Sequence, residues 1–334
     1  MPFTPPTLDE INAAHRSLAS MIRRTPVLSM PPGMIAPDTG GDGMLSFKLE
    51  LLQHAGSFKA RGALHAVQQL DEAGKRAGVV AVSAGNHAIA TAFAAQSAGS
   101  NAHVVMMQHA NPLRVARCQA LGANVELVAD VHTAFARCQA VAETENRTMM
   151  HPFESPHMIM GAATLGVEFA QDLIASGQPP LDAAIIPIGG GGLAAGMAHG
   201  LKSVWPDVKI YGVEPIGADS MARSFASGKP EKLSGVQTIA DSLGAPFALP
   251  MTYELCRQYL DEVVLIDDPA MIGAMRLILE VLKQAVEPAG AAATAAFLGP
   301  LRQKLAGQHV GLIVCGANID AASYAGYLSS ADAA

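Results

Sequence analysis

Apolar residues recur along this chain at two spacings, every third or fourth position and in short unbroken runs, and the two spacings take turns. The first helical face is Ile11, Ala14, Leu18 and Ile22. It is opened by Thr7-Leu-Asp-Glu10, a spacing at which the two end side chains cap a helix reciprocally. Arg24-Thr-Pro-Val is predicted to end that helix, and the Pro/Gly-rich stretch from Pro31 to Gly43 to form an exposed loop. An apolar strand from Leu45 to Leu52 then hands over to a helix around Lys59. The alternation becomes regular from there: strand Val79 to Val82, helix Asn86 to Ala98, strand Ala102 to Met107, helix Pro112 to Leu121, strand Asn124 to Val128, helix Thr133 to Glu145, and a short strand Thr148 to His151.

A second set opens with a helix from His157 to Ile174 and a strand from Asp182 to Ile188. Glycines 189–192, a helix to Val204 and a strand from Val208 to Glu214 come next. Ser227 to Thr252 reads as loop, and further elements end in the strand Val310 to Val314 and a last helix. Strands alternating with helices predict an α/β protein with two open, mostly parallel twisted sheets and flanking helices. The boundary falls near residues 151–156, and neither a solenoid period nor a low-complexity segment interrupts the pattern before the final few residues.

Composition sharpens this picture. At 334 residues the chain has room for two domains, and with half its residues hydrophobic and 15% charged it suits a well-buried enzyme. A net charge of −7 without any Lys/Arg-rich run argues against a nucleic-acid or anionic-membrane partner. Cys118, Cys138, Cys256 and Cys315 lack metal-like spacing and read as reduced thiols of a cytoplasmic protein. The N-terminus shows no signal-peptide pattern, and no apolar run is expected to reach the length of a membrane span.

Chemistry concentrates where strands meet helices. Lys59, in Glu50-Leu-Leu-Gln-His-Ala-Gly-Ser-Phe-Lys59-Ala-Arg-Gly62, stands at a helix start, where the dipole disfavours a second positive charge. Desolvation as well would lower its pKa and populate the neutral amine that forms Schiff bases; an ordinary solvated lysine is the alternative. Gly189-Gly-Gly-Gly192 leaves backbone N–H groups free to cradle a phosphate at a helix N-terminus. The same stretch fits a relaxed dinucleotide fingerprint, Gly189-x-Gly191-x-x-Ala194, with Glu214 where a ribose-binding acid would stand, so an NAD-dependent oxidoreductase is a rival reading. Ser83-Ala-Gly-Asn-His87 suits a carboxylate or is a plain capped turn. Cys315-Gly-Ala-Asn318 ends the last strand, where Cys315 is an apolar filler or a weak neutral partner for a ligand. His54, His87 and His151 are expected to line turns, and Glu214 with Asp219 to be solvated acids or part of a cation site.

Ser57-Phe-Lys59-Ala-Arg-Gly-Ala, Ser83-Ala-Gly-Asn-His87, Gly189 to Gly192 and Cys315-Gly-Ala-Asn318, in this order, resemble the fold-type-II pyridoxal-phosphate enzymes. The likeness is to their threonine/serine dehydratase and serine racemase branch, whose architecture is that of the tryptophan synthase β chain. His151-Pro-Phe153, Ile239-Ala-Asp241 and Glu287-Pro-Ala-Gly-Ala support it, and it spans roughly residues 20–320. The resemblance implies that Lys59 carries pyridoxal 5'-phosphate and acts as the base for the α-proton. It implies further that Phe58 packs near the ring, Asn86 meets the ring 3-hydroxyl, Gly189, Gly190, Gly191 and Gly192 hold the phosphate, and Cys315 faces the pyridine nitrogen. Ser83, Ala84, Gly85, Asn86 and His87 would receive the substrate carboxylate. Residues 1–52 and 152–334 would form a large cofactor-binding domain and 53–151 a small one, in a cytoplasmic homodimer. The implied reaction turns L-threonine, L-serine or a related 3-hydroxy amino acid into a 2-oxo acid and ammonia by α,β-elimination; racemisation or β-replacement are the same-fold alternatives.

Departures from the family pattern bear on specificity. Ala84 stands where serine racemases carry a serine, which favours dehydration over racemisation. The family's Gly-Gln-Gly-Thr is Gly161-Ala-Ala-Thr164 here and its Ala-Asp-Gly is Ala240-Asp241-Ser242, so the substrate pocket is expected around Ala162 and Ser242. A loop metal site is partly present as Glu214, Ala218 and Ser220, with serine where an acid is usual, so divalent-cation binding is expected to be weak or absent. No residues follow 334 for a regulatory domain, so feedback by isoleucine is not expected.

Overall fold

The structure, a computed structural model, describes residues 3–35 and 43–330. Among the described residues there are ten strands: β1 (Val27–Met30), β2 (Met44–Lys48), β3 (Val79–Val82), β4 (Ala102–Met107), β5 (Asn124–Val128), β6 (Thr148–Met149), β7 (Ala183–Pro187), β8 (Lys209–Pro215), β9 (Glu262–Ile266) and β10 (His309–Ile313). The helices are α1 (Leu8–Leu18), α2 (Lys59–Gln68), α3 (Glu72–Ala77), α4 (Asn86–Ser97), α5 (Pro112–Ala120), α6 (Val131–Thr144), α7 (Pro156–Ala175), α8 (Gly192–Val204), α9 (Ser220–Ser227), α10 (Pro250–Tyr259), α11 (Asp268–Leu282), α12 (Pro288–Leu298) and α13 (Ala321–Ser330).

Two sheets result. One has six strands in the order β1-β2-β10-β7-β8-β9, parallel throughout except for the antiparallel edge pair β1–β2. The other has four parallel strands in the order β5-β4-β3-β6. Every residue of β7 and β10 is buried, as expected for central parallel strands covered on both faces. Mostly parallel topology puts the carboxyl ends of these strands, and the loops after them, at one edge of each sheet, where open α/β sheets bind ligands.

Glycine sets how closely the helices approach. A side chain at Gly196 or Gly200 of α8 would lie 2.4 Å from Ile159 O or 2.3 Å from Ala163 O of α7. One at Gly161 of α7 would lie 2.3 Å from Gly62 N of α2. These are backbone contacts that no rotamer change relieves, so α2 is seated on α7 at a fixed depth. Beneath this junction Arg61, fully buried, donates to Glu50 (2.7 and 2.9 Å) and Glu168 (2.9 and 3.0 Å), while Lys48 donates to Glu168 and Asp172 at 2.7 Å.

Several boundaries differ from expectation. The first helix closes at Leu18, although its capping box forms as read. The strand predicted to reach Leu52 stops at Lys48, and a 3-10 turn over Glu50–Leu52 follows, which places the Glu50 carboxylate on Arg61. The strand predicted to reach His151 pairs only at Thr148 and Met149. Within the predicted loop from Pro31 to Gly43, Pro32–Met34 is a 3-10 turn, and residues 36–42 lie outside the described residues. The predicted loop from Ser227 to Thr252 contains a 3-10 turn at Asp241–Leu243 and the start of α10. By length and composition α7 could cross a membrane, contrary to expectation; 72% of its apolar window is buried in the protein, packed by α2 and α8.

Candidate active site

Lys59 is the first residue of α2, and no side chain caps that end. The helix start is set instead by the Phe58 N–H, which donates to Cys315 O at 3.1 Å, and by the buried fork of Arg61. This joins the end of β10 to the beginning of α2 and aims the Lys59 amine at Pro152 O. Burial lowers the Lys59 pKa to about 8, so a substantial share of the amine is neutral near physiological pH. Desolvation therefore delivers what the helix dipole alone was expected to begin.

Phe58, Lys59, Ser83, Ala84, Gly85, Asn86, His87, Gly189, Gly190, Gly191, Gly192 and Cys315 line one cavity of about 650 Å3. Four strand-to-helix junctions from both sheets thus converge. The structure also brings in Arg114, which the sequence did not single out, and Asp241, Glu287 and Phe153, which it named as motif residues without a role. Arg114 carried no signal in the sequence, because an arginine on a polar helix ordinarily faces water.

Glycine is required along the cradle. A side chain at Gly190 would fall 2.2 Å from the Phe153 ring, and Gly191 has φ +90°, which side chains rarely adopt. With Gly191 at the N-cap, the first N–H groups of α8 have no intrahelical partner and suit an anion.

Across the cavity Asn86 begins α4, and its orientation follows from donor and acceptor types. Asn318 Nδ2 donates to Ala55 O at 2.8 Å, and Asn318 Oδ1 accepts from the Arg117 guanidinium. Asn318 therefore presents N–H to Asn86 Oδ1, at 2.5 Å. Asn86 Nδ2 then faces Glu287 Oε1 at 2.5 Å and Ser242 Oγ at 3.2 Å. The other Glu287 oxygen is buried without a hydrogen-bond partner, and burial pushes its pKa up to about 7. His87, in the first turn of α4 rather than in a turn before it, donates from Nε2 to Met150 O at 2.8 Å; burial and the Lys59 charge lower its pKa to about 3. It is neutral, so its contribution to a carboxylate is a backbone N–H rather than a charge. Burial also pushes the Cys315 thiol far up, and its Sγ donates to Ala289 O at 3.3 Å. Lys59 lies close by in space, unlike in sequence, yet the thiol stays protonated and weakly polar.

Two expectations fail here. Ala162 does not reach the cavity: it is buried in α7, 2.6 Å from where a side chain on Gly196 would stand. Glu214 cannot receive a ribose, because it is fully buried with its oxygens accepting the Met221 and Ala222 N–H groups at 2.9 and 2.8 Å. That removes the acid on which the dinucleotide reading depended. Glu214, Ala218 and Ser220 lie apart from the cavity, Ser220 Oγ is buried without a partner, and no cluster of three or more His, Cys, Asp or Glu suited to a metal occurs among the described residues.

The residues present fit pyridoxal 5'-phosphate. A partly neutral amine, a glycine-only anion cradle, a neutral thiol and a buried carboxylate with an open valence surround one space.

Comparison with known proteins agrees. Residues 18–316 match the family described as pyridoxal-phosphate dependent enzyme. A phenylserine dehydratase from Ralstonia pickettii is 45% identical over 325 residues, 97% of each chain. An L-threonine ammonia-lyase from Thermotoga maritima is 36% identical over 94% of this chain and 76% of that one. The structure of maize serine racemase is similar with a TM-score of 0.89 at 34% identity, covering 98% of both chains.

Proposed function

This chain belongs to the pyridoxal-phosphate-dependent enzyme family, and on that premise we propose that it dehydrates 3-hydroxy amino acids, releasing a 2-oxo acid and ammonia. The observation that carries the reading is the meeting of Lys59, Gly189–Gly192 and the loop Ser83–His87 around a single cavity. Pyridoxal 5'-phosphate, when bound, supplies an electron sink conjugated to the substrate α-carbon.

The chain's own residues do the rest. The amides of Gly189–Gly192 and the N-terminus of α8 would hold the phosphate, and Phe58 and Asn86, which line the same cavity, would border the ring. The Cys315 thiol, kept neutral by burial, would offer the ring nitrogen no negative charge, which would moderate the sink and favour a substrate with a β leaving group. Lys59 Nζ, with its lowered pKa, takes the α-proton. The first amides of α4 receive the carboxylate. Ala84 offers no hydroxyl for the second face of the α-carbon, which separates this chain from a racemase. Among 3-hydroxy amino acids, an aryl-bearing one suits the apolar walls Met107, Phe153 and Leu243, in keeping with the phenylserine dehydratase relative. A cytoplasmic homodimer belongs to the same proposal, and four buried free thiols support a reducing compartment.

The test is release of 2-oxo acid from phenylserine, threonine and serine by the cofactor-loaded protein. Turnover of at least one supports the reading, and no release from any of them overturns it.

A further inference from the structure

Above Gly85 the cavity is bordered by donors from three separate elements. Asn86 and His87 open α4, and their N–H groups have no intrahelical partner by position. A side chain placed on Gly85 would meet only two atoms within 4 Å: Arg114 Nη1 of α5 at 3.8 Å and Ser242 Oγ at 4.0 Å. The space is therefore open, and both of its flanks are polar.

Donor accounting gives Ser242 a direction. Its Oγ accepts the Asn86 N–H at 3.2 Å, so the hydroxyl hydrogen is what it has left to offer. The acceptor within reach is Asp241 Oδ1 at 3.4 Å, too long for a firm O–H···O bond, and that carboxylate is already held by both Nη atoms of Arg114. Arg114 is itself largely buried, tied through Nε to Asn318 O at 3.0 Å and 3.7 Å from Glu287 Oε2, so its charge is already met by two carboxylates. A hydroxyl hydrogen without a firm acceptor and two orphan amides converge on a point that accepts a small anion.

Resting on the dehydratase reading, we infer that Ser242 completes the subsite for the substrate's carboxylate. Ser242 donates its hydroxyl hydrogen to one carboxylate oxygen, the α4 amides serve the other, and Arg114 keeps the Asp241 carboxylate paired. The hydroxyl comes from the 3-10 turn Asp241–Leu243 rather than from the loop that carries Ala84, so this chain holds the carboxylate without a hydroxyl at position 84. Ser242 is thereby the residue that distinguishes a free carboxylate from its neutral derivatives.

The test uses L-alanine and L-alaninamide, which lack a β leaving group, titrated calorimetrically into the cofactor-loaded wild type, Ser242→Ala and Ser242→Thr. Loss of one hydrogen bond to a charged group weakens L-alanine binding to Ser242→Ala about tenfold, leaves L-alaninamide within about twofold, and is restored by threonine. If Ser242 only steadies Asn86, both ligands weaken together, and the inference is overturned. Unchanged affinity for both overturns it too. A wild-type chain that takes up no cofactor defeats the dehydratase reading itself, and the inference with it.

Discussion

Replacing Arg61 by methionine should cost more stability than almost any other single change near the site, and the structure gives the size. Arg61 and its partners Glu50 and Glu168 are all fully buried. Without the guanidinium, Glu168 keeps Lys48 at 2.7 Å and His15 at 3.0 Å, but Glu50 is left with Thr25 Oγ1 at 2.6 Å. Removing one partner from a buried ionic network typically costs about 3–5 kcal/mol, because a charge stays desolvated and uncompensated. Arg61→Lys keeps the charge but cannot fork onto two carboxylates, so a loss of about 1–3 kcal/mol is expected.

Acid unfolding supplies a second readout with a defined sign. Burial pushes the Glu168 carboxyl up, but hydrogen bonds from His15 and Arg61 and the Lys48 charge outweigh it and hold the group well below its ordinary value. Its stabilising contribution is present above the unfolded-state value and is lost as pH falls through the folded-state value. Arg61→Met weakens that depression, so acid unfolding should begin at higher pH than in wild type. Urea titration at neutral pH and acid titration followed by circular dichroism measure the two effects. A loss under about 1 kcal/mol, the worth of an exposed pair, together with an unmoved acid midpoint would refute the argument.

Other outcomes follow from single features. Gly161→Ala drives a methyl group into the backbone of Gly62, so urea denaturation should show a loss of about 1–3 kcal/mol, and weakened cofactor binding should accompany it because α2 carries Lys59; a neutral substitution contradicts the fixed seating of α2 on α7. The Lys59 pKa, lowered by burial to about 8, predicts that cofactor attachment to the empty protein speeds up as pH climbs through that value and then levels off, measured by rapid-mixing absorbance; a pH-independent rate opposes it. Ala84→Ser should open some racemisation of serine, read by chiral chromatography of recovered substrate, and complete retention of configuration would count against the reading of Ala84.

How much of this was legible in the sequence depended on whether the information was local. β3, β4 and β5 occupy the predicted residues, since short runs of β-branched and apolar residues between turn signals define parallel strands by themselves, buried in β3 and β4 and half-exposed at the sheet edge in β5. The glycine cradle and the helix starting at Lys59 were equally local. The early end of β2 was not, because the apolar run resumes at Leu51 and Leu52 and hides the turn that carries Glu50 to Arg61, a partner supplied by another element. Ala162 was assigned to the substrate pocket from its place in a motif, whereas helix periodicity turns it toward Gly196. Arg114 gave no sign of its role, since only the approach of α5 to Asp241 and Asn318 brings it to the cavity. Asn86 and Cys315, whose partners are also distant, were legible only because each sits in a recognisable junction motif, which Arg114 lacks.

The central claim is that Lys59 is the amine that carries the cofactor, and borohydride reduction of the cofactor-loaded protein tests it most directly. Peptide mapping by mass spectrometry should find the reduced pyridoxyl-phosphate adduct on the peptide containing Lys59, and Lys59→Ala should carry none while keeping its fold. An adduct on a different lysine, or an unlabelled wild-type protein that still releases 2-oxo acid, would contradict the account.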